Sequence, residues 1–192
     1  MSNNLNRLEV PVIAATRESV ADYGLFIGTD IPDDGLSIPF YKGSVQEGHN
    51  IPFECQGNAV VRSARISKRS GEIIWLERHN HMTQLFVGLG DQPFAMVLGK
   101  PNHLTDEQVP NLQDVTCFVF PAGHGIMLYK GTWHDFPLCV KEPVTCLTMN
   151  SPEVVAALAS MATPDEMNHG DVYKIDIKKR TNTVLSVNFD AV

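Results

Sequence analysis

The chain has 192 residues, 43% hydrophobic and 19% charged, which is enough apolar material to bury a core in one domain. Its formal net charge of −7 argues against a generic nucleic-acid binder, because neutralising phosphates takes clustered basic side chains. No stretch approaches the ~20 apolar residues of a membrane-spanning helix, and the opening MSNNLNRLEV has neither a basic nor an apolar leader segment, so a cytoplasmic location is expected.

In chain order, LEVPVIAATRESVADYGLFIG reads as strand, helix, strand. Thr16 is placed to cap the helix, Glu18 adds negative charge to its first turn, and Gly24 supplies a left-handed residue to end it. Residues 28–57 are rich in Gly, Pro and Asp and predict loops around short strands. From 58 to 150, short β-branched and aromatic runs (NAVVRSARISK, GEIIWLERHNH, TQLFVGLG, PFAMVLGK, VTCFVFPAG, GIMLYKGTWH, VTCLTMN) alternate with Gly, Pro, Asn and Asp. Strands so closely spaced predict an all-β antiparallel sandwich or barrel.

Helix returns at SPEVVAALASMA, with Ser151 as cap and Pro152 at the first helical position. The tail DVYKIDI…NTVLSVNF adds strand, and the basic run KIDIKKR (174–180) reads as the solvated face of one. No repeat or linker divides the chain, so 1–192 is expected to be a single domain. Its β core covers about 58–150, between an N-terminal strand–helix extension and a C-terminal helix and strand. Cys55, Cys117, Cys139 and Cys146 form no CxxC pair. The last three sit in apolar runs and read as small buried hydrophobes, in keeping with a reducing compartment.

Polar chemistry concentrates in one apolar stretch, IIWLERHNHMTQLF. Along a regular strand Glu77, His79 and His81 share one face, while Arg78 and Asn80 take the other. A turn at Met82–Thr83 would let Gln84 start the next strand and point back at the same cavity. Far along the chain, YKGTWH supplies His134 after Gly131. Glu77-x-His79-x4-Gln84 followed by Gly131-x2-His134 resembles the metal-motif spacing of cupins. In a second register His79 and His81 are the paired histidines and Glu77 stands behind them. Oxygen and imidazole donors of this kind suit Mn, Fe, Ni or Zn without choosing among them; no organic cofactor is indicated. By strand parity Arg78 reads as a structural ion pair. Trp133 reads as a core or cavity-wall aromatic, and His49, His103, His124 and His169 lie in loops, with His124 near a strand end.

These segments resemble a specific family. ERHNHMTQLF is similar to a signature of ureidoglycolate lyases, GIMLYKGTWHDFPL to a second segment of theirs, and TRESVADYG to their early helix; the resemblance covers roughly residues 8–150. It implies a cupin-like antiparallel β-barrel or jelly roll with a few short helices, usually a homodimer. The implied reaction is a lyase cleavage of a C–N bond in ureidoglycolate, releasing urea and glyoxylate in purine catabolism. Carried over, Glu77, His79 and His134 are the catalytic candidates, and Glu77, His79, Gln84 and His134 the candidate metal ligands. Arg65 and Lys130 become carboxylate partners, and Gln84, His81, Asp135 and Trp133 candidates for substrate contact.

The chain departs from the pattern at three places. His81 is an added imidazole, Asp135 stands where a second histidine is usual, and LTMNSPEV replaces the usual end of its strand. The segments 28–57 and beyond 162 also look longer than in a minimal member. Such changes at the cavity are what another substrate would produce. A metal-dependent cupin isomerase, hydrolase or dioxygenase, or a non-catalytic cupin that binds a small acid, are the alternatives.

Overall fold

The computed structural model describes residues 5–190; residues 1–4 of the opening segment and 191–192 lie outside the described residues. Its first strands are β1 (Asn6–Glu9), β2 (Val12–Ala14), β3 (Gly24–Ile27), β4 (Leu36–Ser37), β5 (Gln46–Glu47) and β6 (Val60–Ile66). The middle of the chain forms β7 (Glu72–Ile73), β8 (Trp75–Arg78), β9 (Gln84–Leu89), β10 (Phe94–Gly99), β11 (Thr116–Phe120) and β12 (Gly125–Leu128). Then come β13 (Trp133–His134), β14 (Leu138–Cys139), β15 (Val144–Asn150), helix α1 (Pro152–Ala159), β16 (Met167–His169), β17 (Val172–Asp176), helix α2 (Ile177–Thr181) and β18 (Thr183–Ser186).

Two sheets face each other. One runs β16-β17-β8-β13-β10-β11-β2, with β14 also on β10; the other runs β3-β12-β9-β15-β6. Pairing is antiparallel except for β1 with β18 and β11 with β2, so the fold is the all-β, cupin-like arrangement expected, with two parallel additions at the edges. The period-2 pattern decides what each sheet buries. Phe94, Met96 and Leu98 of β10 enter the space between the sheets with Phe86, Phe118, Phe120, Ile126 and Cys146. Ala95 and Val97, one residue out of phase, join a second core on the outer side with Trp133, Leu76, Ile175 and Leu185. That second core is covered by the three-stranded sheet β1-β18-β7, so the large sheet is buried on both faces.

Three expectations about local structure are corrected. Residues 17–23 form consecutive turns rather than a helix. Thr16 does accept the Ser19 N–H at 3.1 Å, as a cap would, but the Ser19 hydroxyl turns back to the carbonyl of Ala14, and the segment closes with Tyr23 N–H on Val20. Gly24 ends no helix. It opens β3, where a Cβ would lie 2.3 Å from the Met127 carbonyl oxygen, so its missing side chain permits close pairing with β12. The run KIDIKKR leaves the strand at Asp176, whose carboxylate caps α2 by accepting from Lys179 N–H at 2.8 Å. Further along the chain the reading holds: Ser151 caps α1 through Val154 N–H at 3.2 Å.

Candidate active site

The polar residues of the inner faces gather at one end of the space between the sheets. β8 carries Glu77 inward and sends Leu76 to the outer core. Beside it, β13 pairs His134 with Glu77, while Trp133 takes the opposite face. β9 brings Gln84, with Phe86 two residues further in the interior core, and β15 brings Thr148 and Asn150 on the inward phase of Cys146. Glu77, His79, Gln84 and His134 are all buried.

β8 ends at Arg78, and the chain bends over 80–81, which separates the two histidines that a regular strand would align. The cause is Asp171, whose carboxylate accepts the N–H of Asn80 at 2.7 Å and that of His81 at 3.0 Å. His79 therefore enters the site while His81 turns outward. The His81 side chain is 59% exposed, 3.4 Å from Asp171 Oδ1. Between β12 and β13, Gly131 adopts φ 78 and donates its N–H to the His79 carbonyl at 2.6 Å, tying the two histidine-bearing segments together.

Both rings are fixed from behind. His79 Nδ1 faces the Asp171 carbonyl at 2.6 Å and His134 Nδ1 faces the Thr132 carbonyl at 3.0 Å. A carbonyl only accepts, so each Nδ1 carries the proton and each Nε2 presents a lone pair when the ring is neutral. Neither Nε2 has a hydrogen-bond partner among the described residues, nor does Gln84 Oε1, whose amide nitrogen donates to Asn150 Oδ1 at 2.6 Å. Glu77, His79 and His134 offer ligand atoms within 4.8 Å of one another, with Glu77 Oε1 3.5 Å from His134 Nε2. Three buried polar atoms left open beside a carboxylate are a costly arrangement for folding alone, and they suit a divalent cation or a polar substrate atom.

The electrostatics are set by one further residue. Lys174 of β17 stands opposite Glu77 and places Nζ 2.8 Å from Oε2. Burial by itself would raise the Glu77 carboxyl, but the Lys174 ammonium, with the neighbouring His134 ring, outweighs it and holds the group well below the usual carboxylate range. For His79 burial dominates and lowers the ring's affinity for a proton, with Glu77 opposing, so His79 is neutral at physiological pH. In the outer and inner cores respectively, the Cys117 and Cys146 thiols are pushed up to about 12 by burial, which leaves them protonated and inert, as expected of buried hydrophobes.

A cavity of about 420 Å³ reaches Glu77 and Gln84 of this cluster and is lined further by Arg62, Thr148 and Asn150, by Phe136 and by α1. The remaining sequence candidates lie elsewhere. Arg65 is exposed, one residue out of phase with Ala64 and Ile66, which face the interior, and Arg62 is the arginine of β6 on the cavity wall. Lys130 pairs with Glu54. Asp135 is buried against Arg69 at 2.7 Å, and burial raises its carboxyl despite that guanidinium. Trp133 belongs to the outer core, where its indole N–H donates to Asn102 at 2.6 Å. Arg78 does point away from the cluster, as parity requires. It makes no carboxylate pair: it stacks 4.5 Å from the Trp133 ring and donates to Asn102 and the Glu107 carbonyl. His124 sits against Phe26 in a separate groove with Arg17, and His49 and His169 are exposed.

Among the residues of the site that the sequence reading does not name are Arg62, Asn150, Asp171 and Lys174. Strand parity alone would have found the first two, since they share the inward phase with Ala64 and Cys146. Asp171 and Lys174 come from the tail and left no local signal.

Buried imidazoles with outward-free Nε2 atoms, a carboxylate and an amide at one end of a cupin-like barrel define a small-molecule site able to hold a divalent metal. The family profile of ureidoglycolate lyase matches residues 38–169, well over half of the chain, and the protein belongs to the ureidoglycolate lyase family. The match starts after TRESVADYG, so the opening segment lies outside it, and it continues past 150 through α1 to β16. A search among curated proteins found no match. No helix among the described residues is long and apolar enough to cross a membrane.

Proposed function

We propose that the protein is a carbon–nitrogen lyase that cleaves ureidoglycolate, or a similar small 2-hydroxy acid, into urea and glyoxylate. The observation that carries this reading is the set of three buried, unpartnered atoms, His79 Nε2, His134 Nε2 and Gln84 Oε1, beside the ionised Glu77. The elimination removes the hydroxyl proton, forms the carbonyl of glyoxylate, breaks the C–N bond and protonates the leaving urea nitrogen. His79, held neutral by burial, takes the hydroxyl proton at Nε2 and returns it to that nitrogen. Glu77 stabilises the imidazolium formed in between.

Arg62 holds the carboxylate of the substrate. It lies on the cavity wall with no carboxylate partner among the described residues, and its planar fork suits bidentate binding. In a metal-bound form of the site, Glu77, His79, Gln84 and His134 would instead hold a divalent ion of the Mn, Fe, Ni or Zn type, and His79 Nε2, engaged as a ligand, would no longer serve as the base. Such an ion would acidify the substrate hydroxyl and stabilise the developing carbonyl oxygen. A homodimer is part of the same reading, and light scattering tests it. The deciding experiment is glyoxylate release from racemic ureidoglycolate by the purified protein, with and without a chelator. Release supports the reading, and chelator sensitivity separates metal-held from free imidazoles. No release from folded, metal-loaded protein overturns it.

A further inference from the structure

The cavity lining is of two kinds: polar side chains, among them Arg62, Glu77, Gln84 and Asn150, and an apolar wall of Phe136 with the Val155–Leu158–Ala159 stripe of α1. Its volume of about 420 Å³ falls in the range that houses drug-sized ligands. Ureidoglycolate is small and polar throughout, and has no group with which to cover an apolar wall.

That wall is built rather than incidental. Phe136 and Leu158 are each 41% exposed, large apolar side chains left facing a half-open site. Phe136 is held in place by an edge-to-face contact with buried Phe86, at 5.9 Å between centroids, and Phe86 in turn packs against the His134 ring at 6.1 Å. The preceding residue is committed elsewhere: Asp135 is tied to Arg69 and to the N–H of Phe136. Helix α1 is fixed by its other face, where Val154 and Ala157 pack with Met82, Met167 and Val172. Residues 155, 158 and 159 are thereby left over the cavity, at helical spacing for one stripe.

We propose that the substrate of this site is a 2-hydroxy acid bearing an apolar substituent, which lies against Phe136 and Leu158 while the acid end meets Arg62, Gln84 and Glu77. The proposal rests on the hydroxy-acid reading above and extends it. The C–N cleavage is kept, a substrate with an apolar group on C2 leaves urea and a longer 2-oxo acid, and ureidoglycolate is a poorer substrate that still releases glyoxylate. The apolar wall is continuous with the unpartnered Gln84 Oε1 in one cavity, which fits a single small amphipathic ligand better than a second protein copy. Covering apolar area is worth about 0.8 kcal/mol per methylene, which converts to roughly a 3- to 4-fold gain in affinity for each added carbon.

The test is calorimetric binding of straight-chain 2-hydroxy acids, from glycolate through lactate and 2-hydroxybutyrate to 2-hydroxyhexanoate, to the full chain. The same acids are run as competitors in the glyoxylate-release assay. Affinity is expected to climb about 3- to 4-fold per methylene, and F136A and L158S are each expected to flatten that climb. A flat or falling series in the native chain, with glycolate still bound, overturns this proposal and leaves the hydroxy-acid reading intact. No binding of any member, glycolate included, overturns both. A flat series in which L158S also lowers the molecular mass by light scattering overturns the proposal and makes the stripe an interface between copies of the chain.

Discussion

Lys174 Nζ lies 2.8 Å from Glu77 Oε2, so a strand beyond the matched family range supplies the counter-ion of a buried carboxylate at the centre of the site. The Glu77 side chain is 5% exposed and that of Lys174 23%, so the pair is shielded but not dry. Removing one member strands the other, and K174M leaves Glu77 ionised in a buried site without its ammonium partner. A fully buried pair would cost more, but here a loss of about 2–3 kcal/mol is expected. The double variant K174M/E77Q, which removes both charges, should recover most of that loss. Urea unfolding of the two single variants and the double one measures the coupling directly.

The same site gives stability a pH dependence whose sign is fixed. The His79 ring has a lower proton affinity folded than its ordinary 6.5, so below that pH the unfolded chain binds the extra proton and folding weakens. Glu77 is likewise depressed below its ordinary 4.5, so its contribution is complete above that value and is lost as the pH falls further. Melting temperature should therefore be flat above about pH 7 and decline in two stages as the solution is acidified. H79Q should remove the upper stage and E77Q the lower. A melting temperature level from neutral pH down to 4.5 would show that His79 is not shifted, and one that stays level on further acidification would show the same of Glu77.

How far this site could be read in advance depends on how each residue is placed. Glu77, Gln84 and His134 lie on strands, where a period of two assigns the face, so their convergence was legible from spacing. His79 and His81 were not separable, because the bend after Arg78 is imposed by Asp171, a residue 90 positions away from His81 in sequence. Lys174 was read as solvated because KIDIKKR looks like any basic alternation. Only the pairing of β17 with β8 turns it inward. The resemblance points to Arg65, whereas the phase of Ile66 selects Arg62. The strands between 58 and 150 were legible because each is short, β-branched and bounded by turn residues. The helix read at 16–23 was not, since its caps close on a single turn.

Asp171 invites a prediction that separates backbone strain from hydrogen bonding. It holds φ 56, a left-handed conformation uncommon for a residue with a side chain, and it anchors the loop at Asn80 and His81 while its carbonyl orients His79. D171A keeps the strain and discards the carboxylate, whereas D171G discards both. D171G should therefore be the more stable of the two by about 1 kcal/mol, because left-handed residues with a Cβ carry that order of penalty. Both should be less stable than the parent. Both should also lower turnover more than the affinity for 2-hydroxy acids, since His79 loosens while Arg62 and Gln84 stay in place. Paired unfolding curves and a comparison of kcat with KM check the two halves separately.

Metal binding should appear as a shift in thermal stability that depends on the cluster and on nothing outside it. A ligand held only by the folded state at ~100 times its Kd adds about 2.7 kcal/mol, and for a chain of this size each kcal/mol raises the melting temperature by roughly 2–4 °C. Mn, Ni, Zn or Fe(II) at saturating concentration is thus expected to raise it by about 5–10 °C, and a chelator to reverse the rise. H79A and H134A each remove a ligand atom and should abolish the shift, while E77Q, which exchanges a carboxylate for an amide oxygen, and Q84A, which removes one, should shrink it, an amide oxygen being a weaker donor. R65A, on the exposed face of β6, should respond to metal as the parent does. If H134A keeps the full shift, the ion binds elsewhere. The two free Nε2 atoms are then an acid–base pair facing substrate directly, and turnover in excess chelator should match that of the metal-treated protein.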